Sequence, residues 1–253
     1  SISVNPTVAN IDINNATTDW LWAAFAVMFL SDLVFIYWSY TKPIGMRTFY
    51  QLPVLILSTA SIAYFSMASD LGATPIVAEF PRGAAAGSTR SIWYVRYIDW
   101  TITTPLLLLE LLLATGLPLS EILIIIFMDL VMIVAGLVGA LVQSRYKWGY
   151  YAFGCGAQFF IWWGTLVKAP QATTAMGNDV RRSYTASAYA LALIWLLYPI
   201  AWAVADGGNV ISPLKEMIFY GILDLVAKPV FCFYHAYQIS KVPYERFLLS
   251  SGK

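Results

Sequence analysis

Long apolar runs broken by short polar turns dominate the chain. Seven of them reach the roughly 20 residues that a helix needs to cross about 30 Å of hydrocarbon. They run from Trp20 to Tyr40, Tyr50 to Leu71, Ile92 to Ala114, Glu121 to Val142, Trp148 to Val167, Ala186 to Ala205 and Pro213 to Ile239. In a bilayer each run must satisfy its own backbone hydrogen bonds, and the short alternating segments of a barrel are missing, so the pattern predicts helices. Turn chemistry separates them: Thr41-Lys42-Pro43, Gly116-Leu117-Pro118, Ala169-Pro170 through Asn178, and Asp206-Gly207-Gly208-Asn209. Between Gly72 and Ser91, Pro75, Pro81 and Gly83 flank a short β-branched run, which predicts a small hairpin over one end of the bundle.

The fold class is therefore an all-α membrane protein, a seven-transmembrane-helix bundle spanning 20–239. Residues 1–19 read as a polar extramembrane leader without the layout of a signal peptide, carrying the weak sequon Asn15-Ala16-Thr17, and 240–253 as a tail. An odd number of spans puts the two ends on opposite sides. The side shared with the C-terminus holds eight cations, Lys42, Arg47, Lys168, Arg181, Arg182, Lys241, Arg246 and Lys253. The other holds five, Arg82, Arg90, Arg145, Lys147 and Lys215. By the positive-inside rule the N-terminus is expected outside and the tail in the cytoplasm.

Composition agrees with this reading: 59% of the residues are apolar and only 11% charged, against about 25% charged in an average soluble domain. The lipid bilayer is the expected partner, with the plasma membrane the expected location. A net charge of +1 gives no field for nucleic acid. Cys155 and Cys232 lie in apolar runs, which excludes a disulfide framework, and no metal pattern is present.

Seven ionisable residues fall at membrane depth: Asp32, Arg96, Asp99, Glu110, Asp129, Asp224 and Lys228. Each costs about 2.5–3.5 kcal/mol at a lipid-facing helix centre, so all are expected to face the interior. On the third helix, Arg96, Asp99, Thr103 and Glu110 fall on one stripe, with Asp99 and Glu110 about 16 Å apart along the axis. Two carboxylates so separated among leucines suit successive stations for a proton; the plainer alternative is an Arg96–Asp99 ion pair with a stray Glu110. Asp224 and Lys228 are neighbours on the last helix, either a buried ion pair or a lysine that condenses with an aldehyde to a Schiff base beside its counter-charge. Trp195, Tyr198, Pro199 and Trp202 form an aromatic face at mid-membrane depth, suited to clamping a flat apolar ligand or to core packing. His235, the only histidine, follows Lys228 by seven residues. It borders the same half-channel as Glu110 or sits at the membrane boundary. Asp32 is expected to make a hydrogen bond between helices.

The run Arg96-Tyr97-Ile98-Asp99-Trp100-Thr101-Ile102-Thr103-Thr104-Pro105, with Asp224-Leu225-Val226-Ala227-Lys228 and Trp195-x-x-Tyr198-Pro199-x-x-Trp202, closely resembles the microbial (type I) rhodopsins over essentially the whole chain. Gly136-Leu137-Val138-Gly139-Ala140-Leu141 and Tyr146-Lys147-Trp148-Gly149-Tyr150 look most like the fungal branch of the bacteriorhodopsin-like proton pumps. The resemblance implies all-trans retinal held as a Schiff base on Lys228, Asp99 and Asp224 as counterions, and Arg96 below them toward the outside. It implies that Asp99 accepts the proton, that Thr103 is its hydroxyl partner and that Glu110 is the cytoplasmic donor. Tyr64, Trp100, Thr104, Leu107, Met132, Gly136, Trp195, Tyr198, Pro199, Trp202 and Ala227 would line the retinal, with Asp129 accepting a hydrogen bond from Thr104. Asp206 and Glu216 stand where the family places a proton-release pair; the loop departs by one residue and its first acid is Asp, so release is expected late or shared.

The triplet Asp99, Thr103, Glu110 separates functions within the resemblance. Chloride pumps have a neutral residue at the acceptor, sodium pumps carry Asn and Gln in the triplet, and sensory members usually lack a carboxylic donor. The expectation is a light-driven outward proton pump, a photoactive transporter rather than an enzyme. A slow-cycling light sensor and a non-photochemical membrane protein are the alternatives; no signalling partner is evident, and a homo-oligomer stays open.

Overall fold

Asn14 starts the first helix. Its Oδ1 accepts the main-chain N–H of Thr17 at 3.0 Å, and its own N–H donates to Thr17 Oγ1 at 3.4 Å. This reciprocal cap starts α1 (Asn15–Thr41) five residues ahead of the expected Trp20 and buries Thr17 of the sequon. The computed structural model describes residues 2–247. Lys253 and the end of the tail lie outside the described residues.

From α1 the chain continues through α2 (Thr48–Ala68), a hairpin of β1 (Thr74–Val77) and β2 (Thr89–Ile92), α3 (Tyr94–Leu112), α4 (Leu119–Leu141) and α5 (Lys147–Trp163). α6 (Asn178–Gly207) and α7 (Pro213–Ser240) complete seven helices among the described residues. The strands pair antiparallel, Thr74 opposite Ile92 and Val77 opposite Thr89. The leader is tied to this hairpin: Ile11 N–H donates to Thr89 O at 2.9 Å and Ser91 N–H to Ile11 O at 3.1 Å. The hairpin in turn reaches the α6–α7 turn, where Asn209 Nδ2 donates to Phe80 O at 2.8 Å.

The connection expected from Ala169 to Asn178 is mostly helical instead. α5 runs on through a π turn, Gly164–Lys168, into Ala169–Ala172 and a 3-10 turn, Thr173–Met176. Only Gly177, at φ 114°, breaks the chain, a left-handed conformation that favours glycine. Arg246 caps the preceding turn by donating to Met176 O at 2.8 Å. α6 then begins eight residues before the expected Ala186, because its first turns are too polar to register as an apolar run.

Five helices, α1, α2, α4, α6 and α7, are long and apolar enough to cross a membrane by length and composition. The other two fall short for identifiable reasons. α3 carries Arg96, Asp99 and Glu110 within 19 residues, and α5 has 17 residues before its π turn. Leu30, Ile62, Phe127, Phe153 and Leu193 project outward, while the ionisable groups of the spans are buried, the arrangement a hydrocarbon solvent demands. Asp32 joins α1 to α2 by accepting from Ser58 Oγ at 2.7 Å.

Candidate functional site

Pro229 has no N–H to give to the helix, and α7 loosens around it into a π turn, Val226–Val230, that contains Lys228. Lys228 is 1% exposed and its Nζ lies 2.5 Å from Asp99 Oδ2 and 3.2 Å from Asp224 Oδ1. The two carboxylates are held differently. Asp224 accepts from Tyr64 Oη at 2.7 Å, Tyr198 Oη at 2.7 Å and Trp100 Nε1 at 3.3 Å. Asp99 takes only the lysine on Oδ2, and its Oδ1 has no partner among the described residues. Thr103 does not reach that carboxylate: its Oγ1 donates to the main-chain O of Asp99 at 2.9 Å, the i−4 carbonyl within easiest reach of a helical threonine. Arg96 likewise does not pair with Asp99 but with Glu216, at 2.9 Å.

Beside Lys228 lies a largely apolar cavity between α3, α4, α5, α6 and α7. Trp100, Thr104, Leu107, Met132, Gly136, Trp195, Tyr198, Pro199, Trp202 and Ala227 line it, as does Lys228 itself. Tyr64, expected in the lining, stands behind it, bound to Asp224. Asp129 accepts from Thr104 Oγ1 at 2.7 Å, the hydrogen bond the resemblance implies. The wall from α5, Tyr151, Gly154, Cys155 and Gln158, was not expected. Its polar members recur at spacings of four and three along an apolar helix, a readable signal. Gln158 repairs a gap in the backbone of α6. Pro199 leaves the Trp195 carbonyl without its helical donor, and Gln158 Nε2 supplies one at 2.8 Å. Trp202 lies flat on Tyr151, with ring centroids 5.1 Å apart, and donates to Gly136 O at 3.0 Å.

Glu110 is fully buried on the side of Lys228 away from the hairpin. Its Oε2 faces Cys232 Sγ at 3.9 Å, and its Oε1 has no partner among the described residues. Cys232 lies one turn beyond Lys228 and escapes a reading of the sequence because a thiol there passes for a small apolar side chain. His235 is turned into the bundle and not out toward lipid headgroups. It is fully buried, its Nδ1 2.9 Å from Ser187 Oγ, its ring stacked on Phe231 and its Nε2 unpartnered among the described residues.

At the hairpin end, Glu216 is paired with both Arg96 and Arg90, the latter at 2.5 Å from β2. Asp206 accepts from Tyr97 Oη at 2.8 Å and Tyr220 Oη at 3.1 Å. In the sequence Arg90 reads only as a loop cation; its burial follows from the hairpin folding inward, which a four-residue strand does not announce.

An apolar, aromatic cavity closed at one side by a buried lysine and two carboxylates, inside seven membrane helices, defines an integral membrane protein of the rhodopsin fold. The family model described as "Bacteriorhodopsin-like protein" matches residues 15–242, and the chain belongs to that family. It is 53% identical over 253 residues to Protein FDD123 of Trametes versicolor, covering 100% of this chain and 88% of that protein. Among solved structures it is similar to a light-driven proton pump, the rhodopsin of Coccomyxa subellipsoidea, at 36% identity and TM-score 0.85, covering 91% of this chain and 99% of that one. It is also similar to a light-driven proton pump from Leptosphaeria maculans, at 30% identity and TM-score 0.85, covering 94% and 100%. Such neighbours are light-driven transporters, not enzymes, and the fungal relatives agree with the branch that the runs Gly136 to Leu141 and Tyr146 to Tyr150 resemble.

Proposed function

We propose that the protein is a light-driven outward proton pump carrying all-trans retinal on Lys228. The observation that carries this reading is Lys228 Nζ set between two unequally held carboxylates at the edge of an aromatic cavity, with a buried carboxyl on its far side. The cavity fits the group: its walls are apolar and aromatic, and an amine stands at its margin. Joined to that amine, retinal supplies absorption of visible light and an isomerisation that changes how the nitrogen holds its proton.

The protein groups around the nitrogen divide the remaining work. Asp224, held in place by three hydrogen bonds, serves as the fixed counter-charge. Asp99, with one oxygen unpartnered, is the group free to receive a proton from Lys228. Glu110, enclosed by the leucines of α3, returns a proton to Lys228 past Cys232. His235 borders the same route. Tyr64, Trp100 and Tyr198 orient Asp224, and Trp195 and Trp202 would hold the flat chain of the ligand.

The direction of transport rests on orientation. On the hairpin side Arg90 and Lys147 are buried, which leaves Arg82, Arg145 and Lys215 as the exposed Lys and Arg there among the described residues. Lys42, Arg47, Lys168, Arg181, Arg182, Lys241 and Arg246 belong to the opposite side, so the hairpin is outside and Asp99 faces the exit. The test is a photocurrent in oriented membranes at zero applied voltage. A sustained current directed from the Glu110 side to the hairpin side is expected; a complete photocycle without net current would make the protein a sensor.

A further inference from the structure

Four charged side chains are buried together beneath the hairpin: Arg90, Arg96, Asp206 and Glu216. Glu216 is gripped at both oxygens, by Arg90 Nη2 on Oε2 at 2.5 Å and by Arg96 Nη1 on Oε1 at 2.9 Å. Asp206 Oδ2 receives two tyrosine hydroxyls, while its Oδ1 has no partner among the described residues. Arg90 is fixed from several directions. Its main chain is paired within the hairpin opposite Ile76, and its guanidinium also binds the Asn209 side chain and Ile211 O, the latter at 3.0 Å.

The charge count decides what this cluster can store. Two buried carboxylates sharing one arginine carry an excess negative charge, which a poorly solvated site relieves by binding a proton. With a second arginine the cluster is neutral when both acids are ionised, and a proton placed on either one leaves an uncompensated buried guanidinium. The other charged groups at the adjoining cavity, Glu79 and Lys147, are of opposite sign and leave the balance unchanged.

We infer that Arg90 is a positioning residue that keeps the Asp206–Glu216 pair free of a stored proton in the dark, so that the pumped proton leaves late. With nothing stored at the outer pair, the proton given to Asp99 has no predecessor to displace, and it departs only as Asp99 itself deprotonates. This timing rests on the pump reading; the dark protonation state does not.

Infrared spectra of the full-length protein in membranes, in the dark at neutral pH, test that state directly. The parent is expected to show no protonated-carboxyl band that either Asp206→Asn or Glu216→Gln removes. Arg90→Gln is expected to gain one such band, lost again when Asp206→Asn or Glu216→Gln is added, whereas Arg90→Lys, which keeps the charge, gains none. In flash experiments a pH-sensitive dye should record release moving ahead of Lys228 reprotonation in Arg90→Gln. A stored proton on the pair in the parent overturns the inference, as does an Arg90→Gln protein that folds without gaining one. If Arg90→Gln does not fold, the parent spectrum still decides. A protein that fails to pump yet shows the expected dark spectra refutes the pump reading and leaves the role of Arg90 standing.

Discussion

Lys228 and Asp99, 129 residues apart in the chain, meet with Nζ 2.5 Å from Oδ2, closer than the 3.2 Å to Asp224 one turn away on the lysine's own helix. The cross-bundle partner is also the less encumbered one, and the proposed division between proton acceptor and fixed counter-charge rests on this asymmetry.

Lys228→Ala removes the proposed attachment point and leaves two buried carboxylates without their cation. Retinal added to this variant should produce no visible band. Thermal stability should fall in line with the roughly 3–5 kcal/mol lost when one member of a buried ion pair is removed. Adding Asp99→Asn to Lys228→Ala should recover part of that loss. A retained visible band in Lys228→Ala would refute the attachment site.

Asp99→Asn takes away the negative charge nearest the nitrogen. The positive charge is then less localised there, so visible absorption should move to the red while transport stops. An unchanged spectrum with intact transport would remove Asp99 from the acceptor role.

Glu110→Gln keeps shape and burial but cannot deliver a proton. Return of the proton to Lys228 should slow by about 10²-fold or more, the lower range of general acid catalysis, and azide should restore it. Flash absorption following decay of the deprotonated state gives the rate; parent-like decay would make Glu110 structural.

His235→Phe retains an aromatic ring against Phe231 and Phe49 while removing both nitrogens. Decay of the deprotonated state between about pH 5 and 8, where histidine changes charge, should lose part of the parent's pH dependence. An identical profile would limit His235 to its packing and its Ser187 contact.

The helices are legible in the sequence because a bilayer imposes long apolar runs, and the stripe from Arg96 to Glu110 is legible because charges in such runs are conspicuous. Asp224 comes beside Lys228 as helical periodicity implies, whereas the approach of Asp99 from α3 follows from the resemblance and not from spacing. What escapes depends on tertiary placement. Arg90 looks like any loop arginine until the hairpin folds inward, and Cys232 looks apolar until Glu110 is seen beside it. Thr103 sits on the expected stripe, yet its hydroxyl turns to its own helix, a choice between two acceptors that spacing cannot register. The polar start of α6 is lost because a hydrophobic run marks the membrane-embedded part of a helix and not its ends.

The central claim, outward transport of protons driven by light, is tested most directly by the pH of an unbuffered suspension of intact cells that produce the protein with retinal supplied. Illumination should acidify the medium, a protonophore should abolish the change, and Asp99→Asn cells should show none. An unchanged or rising pH from cells whose protein absorbs visible light and completes its photocycle would contradict the account.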